Sequence, residues 1–256
     1  GEAVAIKDPT AAVFRAVGGN NLLLVGQQDE SALSIVSSTL IGLGTQYRPD
    51  GAKFFVIDST PDDDPNAGLL ARVANTLPHG VRMLDRTDFG PALEALAGEV
   101  NARQKKESAD RTPVFLFVHG AQRIRELRKE EDFGFGRRGA DKAVPPAENL
   151  AAIMRDGPTV HIHAILWADT PTNLGRTVDR AGMREFGLKI LFQMGVNDSS
   201  ALMDSPAASR LGRNRALYLT EETSQPEKFR PYGLPTKEWL TRVRERFAAK
   251  GAGVTG

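Results

Sequence analysis

The sequence predicts an α/β protein of three layers, a mostly parallel sheet with helices on both faces. Three observations predict it. Short apolar runs recur along the chain without polar alternation, as strands buried on both faces require. Stretches with helical apolar spacing stand between them. The alternation of the two is the pattern from which parallel sheets are wound. The 256 residues suffice for one large core. No linker separates two cores, so residues 1–256 read as a single domain.

The first strand is Leu22–Val25. A helix follows over Ser31–Gly44, with Leu33, Val36, Leu40 and Leu43 at helical spacing and a glycine at its end. Phe54–Ile57 is the second strand and runs into an acidic, proline-broken loop over Asp58–Gly68. A helix over Asp88–Glu107, capped by Asp88, carries Leu93, Leu96 and Val100 on one face. Val114–Val118 is the next strand. Residues 128–146 read as a long, charged, glycine-rich and mobile loop. Pro146–Asp156 is a helix stopped by Gly157-Pro158. Ile162–Trp167, Ile190–Phe192 and Ala216–Leu219 supply the remaining strands. Thr236 caps a last helix that holds Trp239, Leu240, Val243 and Phe247 and closes at Gly251, and residues 250–256 form a disordered tail. The tryptophans and phenylalanines read as core.

Composition narrows the function. Hydrophobic residues make up 41% and charged residues 25%, with a formal net charge of +1. This is an ordinary globular composition, far from the basicity of a chain that holds nucleic acid by charge alone. The chain has no cysteine, which removes disulfides and thiolate metal sites. It has no signal peptide and no apolar run near the ~20 residues of a membrane span. A cytoplasmic location is expected, with membrane association left open for a parent protein. The chain starts at Gly1 without a methionine, and is expected to be a piece of a longer one.

NLLLVGQQDESALS (Asn21–Ser34) has the position of a phosphate-binding loop, between a first strand and a helix. That loop reads G-x-x-x-x-G-K-[ST]. Its backbone N–H groups and helix N-terminus face phosphate, its lysine neutralises charge and its hydroxyl holds Mg²⁺. Here Gly26 is present and Gln27 and Gln28 follow. Ser31 stands at the second glycine, Ala32 at the lysine and Leu33 at the hydroxyl, while Asp29 and Glu30 add two negative charges. ATP carries about four negative charges, and two unit charges ~4 Å apart at an effective dielectric near 20 repel by ~4 kcal/mol. On this stretch alone a generic βα turn is the simpler reading.

PVFLFVHG (Pro113–Gly120) is a strand of the kind that ends in Asp-Glu in P-loop ATPases, where one carboxylate orients Mg²⁺ and the other activates water. His119 and Gly120 hold those places. A neutral histidine is a poor Mg²⁺ ligand, and glycine has no side chain to act as a base. A strand-end histidine bonded to nearby backbone is the simpler account of His119.

In this order, the pieces resemble the motor domain of the FtsK/SpoIIIE (HerA-like) family of DNA translocases, over Asn21 to Phe247. AKFFVIDST (Ala52–Thr60) is similar to that family's second strand, and EVNARQKKE (Glu99–Glu107) to the charged helix before the Mg²⁺ strand. HIHAILWADTP (His161–Pro171) resembles its strand and sensor segment, with Asp169 in place of the sensor glutamine. LKILFQMGVNDSSALMD (Leu188–Asp204) resembles a later segment, with Lys189 in place of an arginine that can act as a finger on a neighbour's nucleotide. Lysine lacks the planar fork for that role. AASRLGRNRALYL (Ala207–Leu219) and RPYGLP with the Trp239 helix are similar to the elements that close the motor.

The resemblance implies a RecA-like P-loop NTPase fold. The departures fall together on Lys, hydroxyl, Asp-Glu, sensor and finger positions, so the expectation is a dismantled nucleotide site with weak or absent ATP and Mg²⁺ binding and no catalytic residue. The resemblance extends to degenerate tandem domains of EccC-type secretion ATPases. It implies a regulatory or scaffolding module whose partners are neighbouring ATPase domains of the same parent chain or a homo-oligomer. A peptide in the former nucleotide pocket, and DNA reached through the assembly, are further expected partners. Two alternatives stay open. One is a working ATPase that draws a cation from Lys53 or Arg123. The other is a DNA-binding module using Gln122–Lys129 and Gly136–Gly139, against which Glu126, Glu130, Glu131 and Asp132 stand as counter-charges. A metal site of Asp29, Glu30 and His119 has no supporting spacing. Asp62–Asp64 lack the glycine and terminal glutamate of a calcium loop.

Overall fold

The computed structural model describes residues 1–4, 8–128, 144–223 and 225–252, the last three of these by backbone alone. Most of the 128–146 loop and the last four residues of the expected tail lie outside the described residues. One sheet organises the chain. Its strands are β1 (Glu2–Ala3), β2 (Leu22–Val25), β3 (Lys53–Asp58), β4 (Val81–Leu84), β5 (Val114–His119), β6 (Ile162–Ala168), β7 (Leu188–Leu191), β8 (Ala216–Thr220) and β9 (Glu227–Arg230). They lie in the order β1-β9-β8-β7-β2-β6-β5-β3-β4. From β7 to β4 every pairing is parallel; β8, β9 and β1 extend the sheet antiparallel.

The helices are α1 (Asp29–Gln46), α2 (Leu69–Ala74), α3 (Arg86–Gln104), α4 (Pro146–Asp156), α5 (Pro171–Leu174), α6 (Val196–Met203) and α7 (Lys237–Ala252). Strand alternation sorts them into two layers. Leu22 and Leu24 of β2 pack with Leu33, Val36 and Leu40 of α1, with α2 and with Leu240 of α7. Leu23 and Val25 face the other way, onto Leu93 and Leu96 of α3, Ile153 of α4 and Leu174 of α5. A four-residue strand covered on both faces has no polar position, which is why LLLV shows no alternation.

Two buried polar groups fix the layers. Asn21 is fully buried and donates to the carbonyls of Met154 and Glu185 at 2.8 Å each, while its own oxygen accepts from Ala164 N–H at 2.8 Å. The Arg103 guanidinium has no exposed area and donates to Glu99 at 2.7 Å and to the carbonyls of Thr112 and Val160 at 3.0 Å each. It ties the end of α3 to the starts of β5 and β6.

Several boundaries differ from the sequence reading. The cap of α3 is Asp85 rather than Asp88: its carboxylate accepts from Thr87 and Asp88 N–H at 2.8 Å each. That helix ends at Gln104, before Glu107, because Lys106 turns to a φ of 61°, the left-handed conformation that ends many helices. α7 runs past Gly251 to Ala252. The last strand is Glu227–Arg230, and the RPYGLP stretch that follows Phe229 leads from it into α7.

Candidate functional site

The parallel strands β2, β6, β5, β3 and β4 all deliver their C-terminal ends to one edge of the sheet, where α/β proteins place ligands. At that edge β6 lies between β2 and β5, so the Gly26 loop and His119 are two strands apart.

The turn after β2 is short. Gly26, Gln27 and Gln28 are its only residues before α1 begins at Asp29. Ser31, Ala32 and Leu33, aligned with the glycine, lysine and hydroxyl of a phosphate loop, therefore lie within the helix and are buried. Ala32 N–H bonds to Gln28 C=O at 2.9 Å, and Ser31 Oγ donates to Gln28 Oε1 at 3.4 Å. Asp29 and Glu30 occupy the first turn of α1 and are exposed. Carboxylates there stabilise the helix through the partial positive charge of its N-terminus. They take up the same potential that a phosphate would use.

Gly26 has φ 134°, and a Cβ on it would stand 2.7 Å from Phe192 Cβ, just beyond β7. The glycine is required by close packing of two strand ends. Gly26→Ala should therefore cost about 3 kcal/mol, from overlap and a positive φ together, read as a shift in the urea midpoint. A variant within about 0.5 kcal/mol of the parent, the range of neutral surface changes, would contradict this packing.

Trp167, the penultimate residue of β6, sits over this turn. Its indole is fully buried and donates Nε1–H to the Gly26 carbonyl at 3.2 Å. The His119 ring stacks on it, with centroids 4.5 Å apart and 24° between planes. The Arg123 guanidinium lies 5.6 Å from the indole centroid and pairs with Asp29 at 3.2 Å. Burial pushes the His119 imidazole down to about 4, the Arg123 charge adds to this, and the carboxylates of Asp58, Asp29 and Asp64 oppose it. The ring is neutral at pH 7 and its buried Nδ1 has no hydrogen-bond partner among the described residues. Gly120, with φ 80°, makes the turn from His119 into Arg123; a Cβ there would meet Ser59 and Arg123 at 3.2 and 3.3 Å.

The other predicted positions divide. Asp169 stands at this edge beyond β6, with its carboxylate bonded by Asn173 Nδ2 at 2.9 and 3.2 Å. Lys189 does not reach the edge. It is the second residue of β7, opposite Leu23, and β7 continues to Leu191 beside Val25. Of the two suggested cation donors, Lys53 lies at the start of β3, at the opposite edge, bonded to Asp110 at 2.7 Å. Arg123 is in place. For its partners the sequence points only to core in the case of Trp167 and to a backbone-bonded strand end in the case of His119. The signal for Trp167 was its place one residue before the end of a strand beside the loop.

Next to this group a cleft of about 500 Å³ opens between the ends of β3, β4 and β5, lined by Asp58, Asp62, Asp85, Arg86 and Arg123 among others. Asp58 already bonds Thr60 N–H and Oγ at 3.0 and 2.6 Å. Among the described residues no group of three or more histidines and carboxylates is placed to hold a metal ion. Of the suggested DNA patch, Lys129 and Gly136–Gly139 lie outside the described residues. No described helix is long and apolar enough to cross a membrane.

No family model and no curated protein matches the chain. Solved structures do. The pCW3 conjugation coupling protein TcpA, determined as a monomer with ATPγS, superposes with a TM-score of 0.63 at 11% identity, covering 88% of this chain and 64% of TcpA. EssC (ATPases 2 and 3) from Geobacillus thermodenitrificans gives 0.61 at 13% identity, covering 91% and 44%. Thermomonospora curvata EccC (ATPases 2 and 3) in complex with a signal sequence peptide gives 0.58 at 17% identity, covering 91% and 42%. The chain thus spans less than two thirds of each of these proteins. At such identities the likeness concerns the fold alone, a mostly parallel α/β sheet covered by helices that this chain shares with these three structures.

Proposed function

We propose that this domain is a non-catalytic module of a larger, multi-domain translocase-type ATPase, with a regulatory or scaffolding role. One observation carries the reading. The place where a phosphate loop would open is closed by Trp167, His119 and Arg123, and the helix N-terminus behind it is taken by Asp29 and Glu30. ATP and Mg²⁺ do not fit the residues present. The turn has no lysine and no hydroxyl at the required places, and neither His119 nor Gly120 supplies an oxygen ligand.

The role then falls on contacts with other domains. EssC and EccC are similar structures in which two ATPase domains occur together, and neighbouring ATPase domains of the same assembly are the partners proposed here. The EccC structure contains a signal sequence peptide, which supports a peptide as a ligand for the edge of the sheet beside Arg123. The position of Arg123 also favours a second reading, an ATPase whose cation comes from that side chain. A phosphate-release assay separates the two. The purified chain should release phosphate from Mg-ATP no faster than Arg123→Ala does. Turnover abolished by Arg123→Ala would establish the second reading and refute the first.

A further inference from the structure

The opposite edge of the sheet carries a second cleft, of about 510 Å³, lined by Arg103, Lys106, Arg111, Thr159, His161 and neighbouring atoms. It lies where α3 ends and where β5 and β6 begin, at the far end of the strands from Gly26. Among the described residues every charged side chain in its wall is basic, and no carboxylate lines it. Around it Lys53, Arg103, Lys106 and Arg111 stand against Glu99 and Asp110, the carboxylates paired with Lys53 and Arg103. The flanking Lys105 and Glu107 offset each other. The Lys106 ammonium makes no hydrogen bond or ion pair among the described residues.

The wall is built. Arg103, whose side chain has no exposed area, lies beneath the wall, fixed by Glu99 and two carbonyls with Asp110 3.6 Å from Nη2. The Arg111 guanidinium is held by the carbonyls of Ser108 and Asp110 at 3.2 and 3.3 Å. Lys106 and His161 both have left-handed backbones, with φ of 61° and 62°. Each ends a helical segment there, which sets the shape of the wall. The Lys106 ammonium and the Arg111 guanidinium share one concave wall over the buried Arg103 charge, and such a pair suits a tetrahedral oxyanion with several acceptor oxygens.

We infer that this cleft binds a phosphate group, as free phosphate or a small phosphoester or as part of a nucleic-acid backbone. The site is independent of the Gly26 turn. The test uses the chain, a Lys106→Gly/Arg111→Ala double variant and an Arg123→Ala control. Lys106→Gly suits the positive φ, so the fold should hold, which a thermal melt verifies. Inorganic phosphate titrated at constant ionic strength against a chloride control should shift the amide resonances of Lys106, Arg111 and Thr159–His161 saturably. The double variant should bind about tenfold or more weakly, and Arg123→Ala should be unchanged. A single-stranded oligonucleotide titration over a range of salt distinguishes the sources. Oligonucleotide binding whose salt slope falls by about one per cation removed assigns a nucleic-acid backbone. Phosphate binding without it assigns free phosphate or a small phosphoester. Absence of a saturable response, a response unchanged in the double variant, or one lost in Arg123→Ala would overturn the site.

Discussion

Trp167→Ala is expected to lower the stability of the domain by about 4 kcal/mol, the middle of the range for a buried aromatic side chain. The indole is fully buried. Its removal strips the stacking partner of His119, the donor to the Gly26 carbonyl and the surface under Arg123 at once. Trp167→Phe is the informative comparison. It keeps most of the packing, loses the 3.2 Å hydrogen bond, and should cost about 1–2 kcal/mol. Urea unfolding at pH 7 reads both. Equal losses for the two variants would mean that the bond to Gly26, rather than the packed ring, holds the edge.

Acid should destabilise the domain before its carboxylates titrate. Burial holds both His119 and His163 down to about 4. His163 Nδ1 lies 2.8 Å from the Asn20 carbonyl, so the neutral ring is the donor, and the ring stacks on Phe115. In the unfolded chain each histidine takes up a proton near pH 6.5, while the folded chain keeps both neutral to about pH 4. Between those values the unfolded state binds more protons, so stability falls as pH falls. One pKa unit is 1.36 kcal/mol, so each histidine should cost about 3 kcal/mol across the window. Below it a second loss follows. The Lys53 ammonium beside Asp110, and the Arg103 guanidinium beside Glu99, hold those carboxylates below their ordinary range. Their contribution is present above the ordinary carboxylate pKa and lost as pH falls through the depressed one. Urea midpoints at pH 7 and pH 4.5 check the first phase, and His163→Phe should remove close to half of it. A midpoint flat between these pH values would show that the histidines are not buried as described.

Much of the architecture is legible in the sequence because parallel strands covered on both faces leave continuous apolar runs. LLLV, VFLFV and IHAILW announce β2, β5 and β6 in this way. The edge of the sheet is less legible. VRML of β4 is broken by Arg82, and EKFR of β9 buries only Phe229, so neither carries a periodic signal. The site is legible in position and not in composition. Gly26, Asp29, His119 and Asp169 do gather at one edge. Which side chains close it depends on strand order, because β6 brings Trp167 between the Gly26 turn and His119. The depth of Lys189 in the sheet is illegible for the same kind of reason. A segment resemblance fixes the strand it belongs to, but the register against β2 sets its depth.

Calorimetric titration of the purified chain with ATP and Mg²⁺ tests whether the aromatic and ion-paired surface at the Gly26 edge leaves room for a nucleotide. No saturable heat is expected at millimolar nucleotide, a binding free energy weaker than about −4 kcal/mol. Micromolar binding, especially binding abolished by Arg123→Ala, would contradict it and place a nucleotide where Trp167 and Asp29 now hold that side chain.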